Sequence, residues 1–233
     1  NAQWPSDYPI ARLEQIKGVL PSRDWNSLYQ QDPIPDEGEY FKTEWFLEYD
    51  TLPEDLEFYG ASDYAVTDGD GDYTEHGIFG IDRVGNLYLA DWWFGKSTSD
   101  VWIDAKCDLI IKHKPDCWFG ESGVIRRSIE PFLARRMNER NAICRIEWLA
   151  SVAGKESRAR GFQGMASMGK IFIPKNAIWK DHVMSQLIRF PAGKHDDAVD
   201  VCSLIGRGLE HINAKRAKYV APKKAYVQHG WMG

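Results

Sequence analysis

Three short segments place carboxylates where an apolar side chain would be expected. Asp63 lies inside Tyr59-Gly60-Ala61-Ser62-Asp63-Tyr64-Ala65-Val66, and Glu121 ends the apolar run Cys117-Trp118-Phe119-Gly120. Asp196, Asp197 and Asp200 sit together in Lys194-His195-Asp196-Asp197-Ala198-Val199-Asp200. A carboxylate in a central strand is costly unless something cationic neutralises it. Taken singly, each acid has a plain structural use: Asp63 as a hydrogen-bonded strand residue, Asp196 and Asp197 as the cap and first turn of a helix whose dipole favours acids. Taken together they form an oxygen-only donor set that suits Mg2+ or Mn2+. Two such ions about 4 Å apart can activate water and take up charge on the leaving oxygen of a phosphodiester. His195, beside Asp196, reads as a proton shuttle or outer group, or, as such histidines more often are, as a loop cap; Asp200, one turn along, reads as a second outer group.

A basic segment follows a different logic. Gly154 to Gly161 carries Lys155, Arg158 and Arg160 against the single acid Glu156. Lys155 and Arg158 are three apart and share one face of a helix. Phosphate neutralisation is one use of such a face; a solvated surface is the other. Two further motifs carry less chemistry. Ala90 to Ser97 satisfies a permissive P-loop pattern, but Trp92-Trp93-Phe94 would fill the space where backbone N–H groups must converge on phosphate. Asp68-Gly69-Asp70-Gly71-Asp72 imitates the start of an EF-hand, yet Tyr73 occupies the glycine position and Phe79 the final acidic one.

The elements that must position these residues follow from period and punctuation. Glu57 to Thr67, Gly77 to Val84 and Leu87 to Trp93 read as three strands joined by short turns, an antiparallel meander. Ser97 to His113 has helical spacing, and Pro115 ends it. Cys117 to Gly120 is a short, wholly apolar strand of the kind buried inside a sheet. Arg126 to Asn141 reads as a helix, Ile143 to Ala150 as a strand, Ser151 to Ala166 as a basic helix or loop, and Lys170 to Pro174 as a short edge strand. Two helices close the pattern, Ala177 to Arg189 and Asp196 to Ile212. The expected fold class is α/β: a mixed sheet, antiparallel meander plus parallel strands, with helices on both faces. The first and fourth of these strands are expected to be neighbours, which would bring Asp63 beside Glu121. Residues 1–50 read as a lead-in, 51–212 as the domain, and 213–233 as a basic tail with Lys215, Arg216, Lys218, Lys223 and Lys224.

Composition limits the classes further. The chain has 233 residues, with 29 Lys and Arg against 34 Asp and Glu, a formal charge of −5. With 43% hydrophobic and 27% charged residues it is a folding sequence. No apolar run approaches the ~18 residues of a membrane span, and Asn1 to Asp7 has no secretory-signal pattern. The four cysteines are far apart with no C-x-x-C, which argues against a zinc or disulfide framework and fits a reducing compartment. A first residue other than Met points to a fragment or a processed chain. The net acidity argues against a general nucleic-acid-coating protein and leaves room for a local basic groove.

The order of these pieces resembles the nuclease domain of the large terminase subunit of tailed bacteriophages, an RNase H-like domain related to the RuvC resolvases. The resemblance runs from about Leu28 to Leu209. Leu28-Tyr29-Gln30-Gln31-Asp32-Pro33, Glu37-Gly38 and Phe41-Lys42-Thr43-Glu44-Trp45 are similar to the junction where the motor ATPase ends. Tyr59 to Ala65 looks like the family's first strand with its metal-binding Asp, here Asp63. Phe119-Gly120-Glu121 matches the second acid, Lys155 to Ala159 a basic segment near bound DNA, and His195 to Asp200 the signature that completes the catalytic set. The resemblance implies a two-metal (Mg2+ or Mn2+) endonuclease of double-stranded DNA with little sequence preference. Asp63, Glu121 and Asp197 or Asp196 would be its ligands, with Lys155, Arg158 and Arg160 on DNA phosphates. It also implies portal protein and small terminase subunit as partners, no membrane, action in the bacterial host cytoplasm and transiently at the procapsid portal, and no ATPase in this chain. Two other readings stay open at this level: a RuvC- or RNase H-type structure-specific nuclease, and a non-catalytic packaging-motor module.

Overall fold

The computed structural model describes residues 40–65, 73–151 and 154–218, together with Leu13; the side chains of residues 124–125 and 213–218 are outside the description. The chain divides into two compact units at Tyr40/Phe41. The first unit, with the junction motif Leu28 to Gly38, lies almost wholly outside the described residues.

The second unit holds a seven-stranded sheet. Its elements in chain order are β1 (Phe46–Tyr49), β2 (Glu57–Asp63), β3 (Thr74–Ile81), β4 (Leu87–Gly95), α1 (Ser99–His113), β5 (Cys117–Ser122), α2 (Val124–Glu139), β6 (Arg145–Ala150), α3 (Lys155–Ser167), β7 (Ile171–Pro174), α4 (Lys180–Arg189) and α5 (Asp197–Lys218). The strand order is β1-β7-β4-β3-β2-β5-β6. β2, β3 and β4 form the antiparallel meander. β5 adds parallel to β2, β6 parallel to β5, β7 parallel to β4, and β1 parallel to β7. The sheet is therefore the mixed one expected from the sequence, and its first meander strand does lie beside the apolar Cys117 strand.

Three boundaries differ from the sequence reading. Lys170 to Pro174 is not an edge: β7 sits between β4 and β1, and β1 forms the edge instead. The sheet thus begins at Phe46, ahead of the expected first strand. The last helix runs to Lys218, six residues into the segment read as a tail.

Side-chain alternation gives the sheet two distinct faces. Gly60, Ser62, His76, Ile78 and Trp118 point to the side covered by α1 and α2, where Trp102, Ile103, Cys107, Ile110 and Leu133 complete a buried cluster. Tyr59, Ala61, Asp63, Glu75, Phe79, Phe119 and Glu121 point to the other side, which α5 covers across β2, β3 and β5. There Phe41, Phe46, Phe162 and Phe190 pack with ring centroids 5.8 to 6.4 Å apart. Asp63 and Glu121 therefore face the helix that begins at Asp197 and carries Asp200.

Candidate metal centre

The site grows out of strand ends. The antiparallel register places Glu75, near the start of β3, opposite Asp63 at the end of β2. β5 runs parallel to β2 with Phe119 opposite Ala61, so Glu121 points to the same face as Asp63. The first turn of α5 then lowers Asp197 and Asp200 onto that face. Asp197 is only 5% exposed. Loss of hydration, and then the negative charges of Asp200, Asp197, Glu121 and Glu75, hold the Asp63 carboxyl well above the usual carboxylate range. Five carboxylates from four elements therefore share one electrostatic neighbourhood.

Glu75 is the member that sequence reasoning missed. It is fully buried, yet every oxygen is occupied. Trp92 Nε1 donates to its Oε2 at 2.7 Å, and Gln186 Nε2 donates to its Oε1 at 2.8 Å. His182 Nε2 also lies 2.8 Å from Oε1, its ring stacked on Phe94 at 3.7 Å. Gln186 then accepts the backbone N–H of Ala198 through Oε1 at 2.9 Å. Glu75 is thus tied through Gln186 to the first turn of α5, and fixes where Asp197 sits. The signal was available in the strand's period: Glu75 shares its phase with Gly77 and Phe79, the inward face of β3. Starting the strand at Gly77 hid it.

The basic residues meet the acids directly. Lys155 Nζ donates to both oxygens of Asp196 at 2.7 Å and lies 3.3 Å from Asp200. Arg158 donates to Asp200 at 2.8 Å and to Ser151 Oγ at 3.2 Å, and lies 3.5 Å from Glu121 Oε1. Arg160 is exposed. Asp197 is among the charges acting on Asp63, whereas both oxygens of Asp196 are held by Lys155. His195 packs edge-on against Tyr73 with centroids 5.6 Å apart, and its Nδ1 is buried without a hydrogen-bond partner among the described residues.

Among the described residues no three His, Cys, Asp or Glu side chains already enclose a metal position. The donor chemistry still fits a hard divalent cation. All the donors are carboxylate oxygens, their charges crowd Asp63, and Glu121 Oε1 is buried without a hydrogen bond. The P-loop-like segment offers no phosphate cradle: Ala90 to Gly95 is part of β4, and Asp91 is engaged by Lys112 at 2.7 Å and His113 at 2.8 Å. The EF-hand-like Asp68 to Asp72 lies outside the described residues.

No protein-family model matches the chain, and no curated protein is similar to it in sequence. Solved structures are similar in fold. The large terminase of a thermophilic bacteriophage, in complex with ADP, has 13% identity and a TM-score of 0.53, over 86% of this chain and 52% of that one. The large terminase nuclease of the thermophilic phage G20c, with bound cobalt, has 13% identity and a TM-score of 0.52, over 74% of this chain and 98% of that one. The large terminase nuclease domain of Thermus phage P74-26 has 9% identity and a TM-score of 0.50, over 69% and 90%. The chain has the RNase H-like fold of the terminase nuclease domains, and spans about half the length of the ADP-bound large terminase.

Proposed function

We propose that this chain is a metal-dependent endonuclease that hydrolyses double-stranded DNA with little sequence preference. The observation that carries the reading is that strand register and the first turn of α5 set Glu75, Glu121, Asp197 and Asp200 on the same side of the sheet as Asp63. Such crowding is unfavourable in the bare protein and becomes useful when cations occupy it. Asp63, Glu121 and Asp197 would hold the ions. Bound Mg2+ or Mn2+ supplies charge to the phosphodiester oxygens and acidifies water at neutral pH.

The chain's own residues do the rest. Gln186 and Glu75 fix the first turn of α5, so that Asp197 approaches Asp63 in one position. Arg158 partly neutralises Asp200 and Glu121, which keeps the cluster from over-binding cations or repelling the DNA backbone. Lys155 takes Asp196 out of the donor set, and this favours Asp197 as principal ligand. Lys155 and Arg158 face phosphates only by loosening these ion pairs, while Arg160 contacts the backbone from the exposed side of α3. His195 and Asp200 stand behind the donors as outer groups.

The likeness in fold to terminase nuclease domains supports a role in viral DNA packaging. In that role the chain would cut concatemeric genomes in the bacterial host cytoplasm, in company with a portal protein and a small terminase subunit. The test is cleavage of supercoiled plasmid in Mg2+, Mn2+ and EDTA, beside Asp63→Asn. Nicking and linearisation that need the metal and disappear in the variant are expected. A folded chain that cuts in no metal would overturn the reading.

A further inference from the structure

Lys155 and Arg158 are the cations nearest the acids, and both are already committed to carboxylates. A DNA phosphate approaching the site from α3 must compete with Asp196, Asp200 and Glu121 for them. The α4 side of the α5 start is different. A recess of about 150 Å3 lies there, with Tyr73, His182, Ser185, Arg189, Lys194 and His195 in its wall. That is about five times the ~30 Å3 share of one water molecule, enough for a phosphate group and some hydration.

Three features suit this recess to an anion. None of the described residues lining it is acidic. Arg189 and Lys194 put two permanent positive charges at its exposed rim, and Lys194 makes no hydrogen bond or ion pair among the described residues. In its wall, His195 Nδ1 is buried without a hydrogen-bond partner among the described residues, and most buried polar atoms are met by a partner, water or ligand. The recess is also continuous in sequence with the donor set, since His195 precedes Asp196 and Asp197.

We infer that this recess binds a backbone phosphate of the DNA next to the one that is cut, with Lys194 and Arg189 as its charge partners and His195 as a hydrogen-bonding wall. The inference rests on the endonuclease reading above. It moves the principal phosphate contact from the α3 face to the turn between α4 and α5. Such a contact positions the strand and carries no sequence information.

The test is equilibrium binding of a short labelled duplex by fluorescence anisotropy in Ca2+, over a range of KCl concentrations. The full chain is compared with Lys194→Ala, Lys194→Arg and Lys175→Ala, the last an exposed lysine beyond β7 used as control. Lys194→Ala is expected to weaken binding several-fold at low salt, equally for unrelated sequences. It should reduce the slope of log affinity against log salt by about one. Lys194→Arg should retain the slope, and Lys175→Ala should behave as wild type. Because Lys194 is exposed, thermal melts of the three variants should coincide with wild type. If the wild-type chain binds and cuts DNA while Lys194→Ala keeps the full salt slope, the subsite is wrong and the endonuclease reading stands. If the wild-type chain neither binds nor cuts, both fall together.

Discussion

Burial and four acidic neighbours raise the Asp63 carboxyl, and this makes activity and stability move in opposite directions on substitution. Asp63→Asn would remove a proposed metal donor, so cleavage should fall by at least about 100-fold. The same change removes one member of a repelling group whose carboxyl is already pushed up by burial and by its acidic neighbours. In EDTA the variant should therefore melt higher than wild type by differential scanning fluorimetry. A lower melting temperature would show that Asp63 makes stabilising contacts and that the repulsion account is mistaken. Asp196→Asn is the contrast. Its oxygens are both held by Lys155 at 2.7 Å. It should cost plasmid cleavage far less than Asp197→Asn, and equal losses from the two would remove the distinction between them.

At the scale of the element, the site depends on where α5 begins and how closely it lies on the sheet. Gln186 sets the beginning, with its amide between Glu75 and the Ala198 N–H. Gln186→Leu leaves both buried groups short of a partner, at about 1–3 kcal/mol for each. Mn2+ affinity measured by calorimetry without DNA should drop about 10- to 100-fold, the usual effect of losing a group that orients a ligand. Unchanged affinity in a folded variant would mean that Asp197 is positioned by something else. Gly206 sets the closeness. A Cβ there would lie 2.8 Å from the Phe162 backbone nitrogen on α3, and one at Gly208 2.6 Å from the Phe119 ring. Alanine would gain about 1 kcal/mol of helix propensity over glycine. Overpacking against backbone opposes this by about 1–3 kcal/mol. Gly206→Ala should therefore lower the melting temperature, and a rise would show that α3 and α5 can separate freely.

The same scale explains what the sequence did and did not disclose. The meander was legible because β2, β3 and β4 carry their own period and their own turns. The Cys117 strand was legible because an all-apolar run must be buried on both faces. β1 was not: Phe46–Tyr49 is four residues whose strand state comes from pairing with another four-residue strand, β7. Propensity has little to act on in so short a pair, and the error about which strand forms the edge follows from that. At the site, Asp63, Glu121 and the Asp196–Asp200 cluster were legible as acids in apolar settings. That Asp196 would be held by Lys155 while Asp197 is buried was not legible, since it depends on where α5 starts and on a lysine from another helix.

Over the whole molecule the two faces of the sheet carry opposite kinds of buried charge. Behind Asp63, on the α1 side, Lys106 is fully buried, with Nζ donating to Tyr64 OH at 2.7 Å and lying 4.7 Å from the Trp118 ring centroid. His76 lies in the same layer, 2.8 Å from Ser62 Oγ through Nδ1 and 2.9 Å from the Trp102 carbonyl through Nε2. Burial lowers Lys106 from 10.5 to about 7, and lowers His76 to about 3. A lysine depressed in the folded state contributes stability that is complete above 10.5 and is lost as pH falls through about 7. Between pH 7 and 9 the unfolded chain binds the extra proton, so stability should rise with pH, by at most about 1.4 kcal/mol per unit for one group. As pH approaches 9, the ordinary thiol value, the trend should reverse. Burial holds Cys107, Cys117, Cys144 and Cys202 up, and in the unfolded chain those thiols ionise first. Tyr64, also held up by burial, acts in the same sense at still higher pH. Urea unfolding of the Asp63→Asn chain, which takes the Asp63 carboxylate out of the balance, should therefore show maximal stability a little below pH 9. Lys106→Met in that background should flatten the rise from pH 7 to 9 and leave the alkaline fall in place. A flat profile over that range with Lys106 present would mean that the lysine is solvated or paired in the folded chain, and that the layer behind the acids does not exclude water as its geometry indicates.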